Sequence, residues 1–161
     1  MDRSDAKRPA RHRYQHQDSA MTLGEGLAEY YAANAGVVMR PADLAPESAS
    51  LFRNHDMCHV VFGLDTTLAD EAIADTRTLL SCDVGVRRYV RYLRTDAHAN
   101  ALFAELGVWS TIKVTLGVTP RVFRAIRESW RMKRRWPWEP PASFLERTLA
   151  DLRAEFAIRV I

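Results

Sequence analysis

Between Pro46 and Cys82 the chain carries two helical hydrophobic patterns interrupted by five residues, Gly63-Leu64-Asp65-Thr66-Thr67. The first sets Leu51, Phe52, His55, Met57, His59 and Phe62 at helical spacing, opens at Pro46 or Glu47 and stops at Gly63. The second restarts at Leu68, runs through Ile73, Leu79 and Leu80 to about Cys82, and has Thr67 as its predicted N-cap with Asp70 in its first turn. This is the pattern of a helix hairpin, and it constrains the side chains as well as the backbone. His55 and His59 are four apart, so they project about 40° from one another on one helix face, and Asp56 is about 100° from the first. Glu71 follows His59 after eleven residues and falls near the start of the second helix, where the hairpin can bring it back to the histidines.

Two imidazoles and two carboxylates, from His55, Asp56, His59 and Glu71, suit a borderline divalent ion, zinc, iron(II) or manganese. They match calcium poorly, since it takes oxygen ligands throughout. Cys58 falls between the histidines and reads as a small buried apolar residue. An adjacent His-Asp pair also occurs in metal phosphohydrolases, but those need a further upstream His, and here His12 and His16 lie in a polar tail.

The run His55-Asp56-Met57-Cys58-His59, eleven residues and Glu71 resembles the coenzyme Q (ubiquinone) biosynthesis protein four family, whose signature is HDxxH followed by eleven residues and Glu. The stretch His59 to Leu64 is similar to the family's His-Val-x-x-Gly-Leu continuation. Leu149, Arg153, Glu155 and Ile158 resemble its closing pattern, within a terminal helix expected from Phe144 to Ile158. The resemblance covers Met21 to Ile161. The residue before the Glu, commonly Gly in the family, is Asp70 here, and the segment upstream of the motif is shorter than in the longer members.

The resemblance implies an enzyme of ubiquinone biosynthesis, a lyase that removes the C1 carboxylate of a polyprenylated 4-hydroxy-3-methoxybenzoate, coupled to ring hydroxylation. His55, Asp56, His59 and Glu71 would hold the catalytic ion, zinc first, with Fe2+ or Mn2+ as alternatives. The implied partners are the prenylated precursor, other ubiquinone biosynthesis proteins and a membrane, and a homodimer is left open. The other reading is a non-catalytic prenyl-lipid-binding organiser with a structural metal.

The rest of the chain reads as an all-α, single-domain helical bundle around this metal-binding hairpin. At 161 residues it holds one core, and its two cysteines and lack of a leader pattern point to a reducing, cytoplasmic setting. Residues 1–20 are basic and nearly free of aliphatics, so a disordered arm is expected there, followed by the domain 21–161. A first helix is predicted over residues 22–34. Further helices are expected over 86–93 and 96–106, with 109–117 ambiguous between strand and helix. Arg88, Arg91 and Arg94 read as a solvated face.

From Thr119-Pro120 to Trp136 the pattern is a basic amphipathic helix. Val122, Phe123, Ile126 and Trp130 fall on an apolar stripe, and Arg124, Arg127, Arg131, Arg134 and Arg135 lie largely on another. With Trp136 and Trp138 at headgroup level, it fits the anionic inner face of a membrane, bound peripherally. No apolar run approaches the ~20 residues needed to span a bilayer. No motif beside the basic arm points to nucleic acid.

Overall fold

The computed structural model describes residues 11–38, 40, 42, 46–85, 87–88 and 119–161. Its elements are helices: α1 (Leu23–Ala33), α2 (Pro46–Phe62), α3 (Leu68–Ser81), a helical stretch α4 over 119–130, and a closing helix α5 (Leu149–Phe156), with 3-10 turns at Arg13–Gln15 and Ala142–Glu146. Among the described residues there are isolated bridges but no strand, in keeping with an all-α fold. The helices expected over 96–106, the ambiguous 109–117, and Arg91 and Arg94 lie outside the described residues, as does most of 86–93. Arg88 pairs with Glu139.

Local chemistry sets the first helix. Thr22 accepts from the Glu25 amide at 3.1 Å while Glu25 returns a carboxylate to the Thr22 amide at 2.8 Å, a reciprocal cap that satisfies two donors the helix start leaves open. Gly26 then lets α1 approach the core closely. A Cβ there would come within 2.8 Å of Val60 Cγ1 and 3.1 Å of Leu149 Cδ1.

α2 is the central element. Its Met57, Cys58, Val60, Val61 and Phe62 are buried against Leu23, Leu27 and Tyr30 of α1, Ile73 and Ala74 of α3, and Leu149, Leu152 and Phe156 of α5. It ends where Gly63 takes φ +72°, the left-handed region that glycine enters at least cost. Thr67 caps α3 by accepting from the Asp70 amide at 3.2 Å. Asp70 accepts from the Asp65 amide at 3.1 Å and from Arg121 at 2.6 Å, fastening the hairpin turn to α4.

Three expectations are corrected by long-range packing. The first concerns the arm: residues 11–20 are part of the fold, with Tyr14 fully buried and its hydroxyl donating to the Leu64 carbonyl at 3.1 Å. Residues 1–10 lie outside the described set. One aromatic anchor and the backbone carbonyls that Arg153 recruits hold this segment, and neither is visible in local composition. The second concerns the end of the chain. A 3-10 turn at Ala142–Glu146 and an extended Arg147 precede α5, which starts at Leu149 with Thr148 as its cap, so the helix is shorter than expected.

The third concerns the basic segment. Its helix stops at residue 130, short of Trp136. Trp136 is fully buried, with ring centroids 5.1 Å from Phe156 and 5.5 Å from Phe144, and its amide donates to the Ser81 carbonyl at 2.7 Å. Trp138 is buried as well. Both indoles belong to the core. Phe123 and Trp130, on the apolar stripe with the half-buried Val122 and Ile126, are 67% and 78% exposed, while α4 turns Ala125, Glu128 and Ser129 inward.

Candidate metal centre

The hairpin places the two histidines of α2 under the first turns of α3. His59 is fully buried and His55 nearly so, with their rings edge to face and centroids 4.8 Å apart. The Tyr30 ring stacks on His59 at 5.4 Å. His59 Nδ1 stands 3.1 Å from the carbonyl oxygen of Asp65 in the hairpin turn. That contact is a hydrogen bond when Nδ1 carries the proton, which leaves Nε2 with a free lone pair, the arrangement by which an outer carbonyl orients an imidazole ligand. His59 Nε2 is buried without a hydrogen bond and faces Glu71 Oε2 at 3.4 Å.

Ligand atoms of His55, His59 and Glu71 all lie within 4.8 Å of one another. The donor set fits a divalent ion by its chemistry, two borderline nitrogens and a carboxylate oxygen, and by its spacing. Two donors each ~2.1 Å from a tetrahedral ion stand about 3.4 Å apart, the separation found between His59 and Glu71. The electrostatics also fit. Burial alone would push the Glu71 carboxyl up, but the neighbouring His59 and His55 hold it below the usual carboxylate range, so it is charged and available.

Asp56, the fourth residue of the motif, does not join that group of three. It is buried, and its Oδ2 accepts from the Tyr31 hydroxyl at 2.8 Å. Burial raises its pKa to about 6 against the pull of His55, His59 and the Tyr31 hydrogen bond. A residue the motif does not name takes a place beside the cluster: Asp75 Oδ1 is 3.8 Å from His55 Nε2. Asp75 is one helical turn beyond Glu71, as His55 is one turn before His59, and that spacing is its signal in the sequence. Tyr30 and Tyr31 carried none, because their approach depends on how α1 lies across α2.

The environment of His55 combines two opposed effects. Burial disfavours the imidazolium, but Asp75, Glu71 and Asp56 surround it with negative charge and raise its pKa to about 9. A divalent ion would supply the positive charge that these carboxylates call for. Cys58 keeps to the far side, with its sulfur 3.7 Å from that of Cys82 in the core, as expected of a structural residue.

Compared with protein families, with curated proteins and with solved structures, the chain finds no match.

Proposed function

We propose that this chain is a divalent-metal enzyme of the coenzyme Q four type, acting on a polyprenylated 4-hydroxy-3-methoxybenzoate. The convergence of His55, His59 and Glu71 across the hairpin carries this reading, together with the HDxxH-x11-E resemblance. His55, His59 and Glu71 hold the ion, zinc first with Fe2+ or Mn2+ as alternatives, and Asp56 is the motif's second carboxylate beside them. When bound, the ion supplies Lewis acidity toward the ring carboxylate or phenolate. The side chains do the rest: the buried walls around His59 and Tyr30 exclude water, and the partly exposed Glu71 marks the open side from which a substrate headgroup enters.

The proposed reaction exchanges the C1 carboxylate for a hydroxyl. The ring carboxylate leaves as carbon dioxide, water supplies the new oxygen, and two electrons pass to dioxygen.

The prenyl tail belongs in a membrane, since each buried methylene is worth ~0.8 kcal/mol and extraction of a long chain is costly. Among the described residues no helix is long and apolar enough to cross a bilayer, and Phe123 and Trp130 project beside the exposed Arg124 and Arg127. These features support peripheral attachment to an anionic inner leaflet; other proteins of the pathway are partners that the resemblance alone implies.

The purified chain is expected to carry about one equivalent of metal by elemental analysis. Loaded with each metal and given the prenylated benzoate and oxygen, it should release carbon dioxide and yield the hydroxylated ring by mass spectrometry. Glu71→Ala should leave a folded, lipid-binding, inactive protein. Loss of folding together with function in that variant would favour a structural metal in an organising protein, and absence of metal from the wild type would end the enzymatic reading.

A further inference from the structure

Cys58 and Cys82 are the two cysteines of the chain, and the fold brings them together in the core. Their sulfurs are 3.7 Å apart, in van der Waals contact, and both thiols are free. A disulfide bond is ~2.05 Å long, so each sulfur has to advance by less than ~1 Å for the bond to form. The backbone permits that movement on one side. Cys58 is fixed inside α2, whereas Cys82 is the first residue past α3, in extended conformation, with its amide reaching the Thr78 carbonyl at 3.3 Å. Cys82 is itself covered, but Leu80 and Asp83 beside it are exposed, so fraying of the last turn of α3 opens the pair to a small solute.

A cation stands near the sulfurs. The Arg77 guanidinium is fully buried and rests over the Phe62 ring at 4.4 Å, and none of its three nitrogens has a hydrogen-bond partner. Burial lowers its pKa to about 10, and the neighbouring Cys82, Glu128 and Cys58 oppose that shift. A buried charge without a partner is costly to keep. Here it sits by two groups that take on negative charge when they react.

We propose that Cys58 and Cys82 are a peroxide-reactive dithiol that closes to an intramolecular disulfide across the hairpin, with Arg77 stabilising the anionic sulfur. One thiol sulfur attacks hydrogen peroxide: an S–O bond forms, the O–O bond breaks, and water leaves with the thiol's proton, giving a sulfenic acid. The second sulfur then displaces the hydroxyl of that sulfenic acid, which leaves as water with the second thiol's proton, and the S–S bond forms. The two sulfurs together give up two electrons, and the peroxide becomes two waters. Neither a metal nor a prenylated substrate takes part.

The full-length chain, reduced and then freed of reductant, is treated while folded with hydrogen peroxide, denatured, alkylated with N-ethylmaleimide and weighed by intact mass spectrometry. The mass should fall by that of two hydrogen atoms and both alkylation sites should vanish together, in a monomer, with dithiothreitol restoring them. Closing the loop from 58 to 82 should raise the melting temperature by on the order of 5–10 °C. Cys82→Ser should form no crosslink and keep the lower melting temperature. Arg77→Met should slow closure about ten-fold, the worth of a lost charge-assisted contact, and Arg77→Lys should slow it less. Thiols that resist peroxide in the folded chain but react in urea would identify an inert core pair and overturn the proposal. A disulfide between two chains, or a lowered melting temperature on oxidation, overturns it as well. A wild-type rate in Arg77→Met removes the part assigned to Arg77.

Discussion

His55 and His59 share a helix face but are held by different means. His59 is oriented through its Nδ1 contact to the Asp65 carbonyl, whereas His55 is held by charge. The shift of His55 from the ordinary value of 6.5 to about 9 arises because Asp75, Glu71 and Asp56 outweigh the penalty of burial. A folded pKa raised above the unfolded one stabilises the metal-free protein fully below pH 6.5, and that contribution is lost as pH climbs through about 9. The effect is on the order of a few kcal/mol, read as a falling melting temperature of the chelator-treated chain across that window. Metal binding runs the other way. An ion needs the neutral imidazole, so uptake at pH 7 should release a proton from His55, and affinity should rise with pH until it levels near 9. Calorimetric titrations of Zn2+ in buffers of different ionisation enthalpy check the released proton. His55, His59 and Glu71 were legible from spacing because a helix fixes side-chain direction within one element and the hairpin fixes the other. The place of Asp56 was not legible, since it depends on a tyrosine from α1.

At the scale of elements, the starts of α1 and α3 were readable, whereas the start of α5 and the folding of the N-terminal segment were not. Thr67 caps α3 and Thr22 opens α1 because caps act within three residues of sequence. The folded segment 11–20 follows from Arg153, whose guanidinium acts across more than ninety residues of chain. Fully buried, it donates from Nε to the Val61 carbonyl at 2.9 Å and from one terminal nitrogen to Val60 at 2.9 Å and Tyr14 at 2.6 Å, with His16 taking a further bond. Two of these carbonyls are among the last of α2, which have no partner inside the helix. Burial costs the guanidinium some basicity, lowering its pKa to about 10, yet it stays charged at neutral pH. Arg153→Met would take the guanidinium donor from the Val61 and Tyr14 carbonyls, while the Val60 carbonyl keeps the Gly63 amide at 3.2 Å, and would release the segment around Tyr14, so a loss of about 3 kcal/mol is expected by urea unfolding. Arg153→Lys should recover only part of it, because an ammonium cannot reach four acceptors at once. Arg153 entered the sequence reading as part of the closing pattern, and the fold gives it a structural role.

Over the whole molecule the net charge is only +3, so the basic character that matters is local. α4 concentrates it. Phe123 and Trp130 are seven residues apart and therefore nearly in line on the helix surface, with Arg127 between them and Arg124 and Arg131 on one flank. All five are exposed. The sequence placed the two aromatics on an apolar stripe offered to a membrane, with Trp136 and Trp138 beside it at headgroup level. The core instead took Trp136 and Trp138 from the following segment, and the pair on α4 was left outside. Aromatic side chains among arginines match the headgroup region of an anionic bilayer, where each cation contributes roughly 1 kcal/mol and the effect falls with salt. The wild-type chain should therefore sediment with phosphatidylglycerol-containing vesicles, much less with pure phosphatidylcholine, and less again as salt is raised. Arg124→Ala should lower the partition coefficient about five-fold, the equivalent of ~1 kcal/mol. Trp130→Ala should lower it on both kinds of vesicle, since the indole acts through burial and not charge. Equal binding to both compositions, insensitive to salt and to Trp130, would show that this face is not what meets the membrane. The metal centre would then have to receive its substrate by another route.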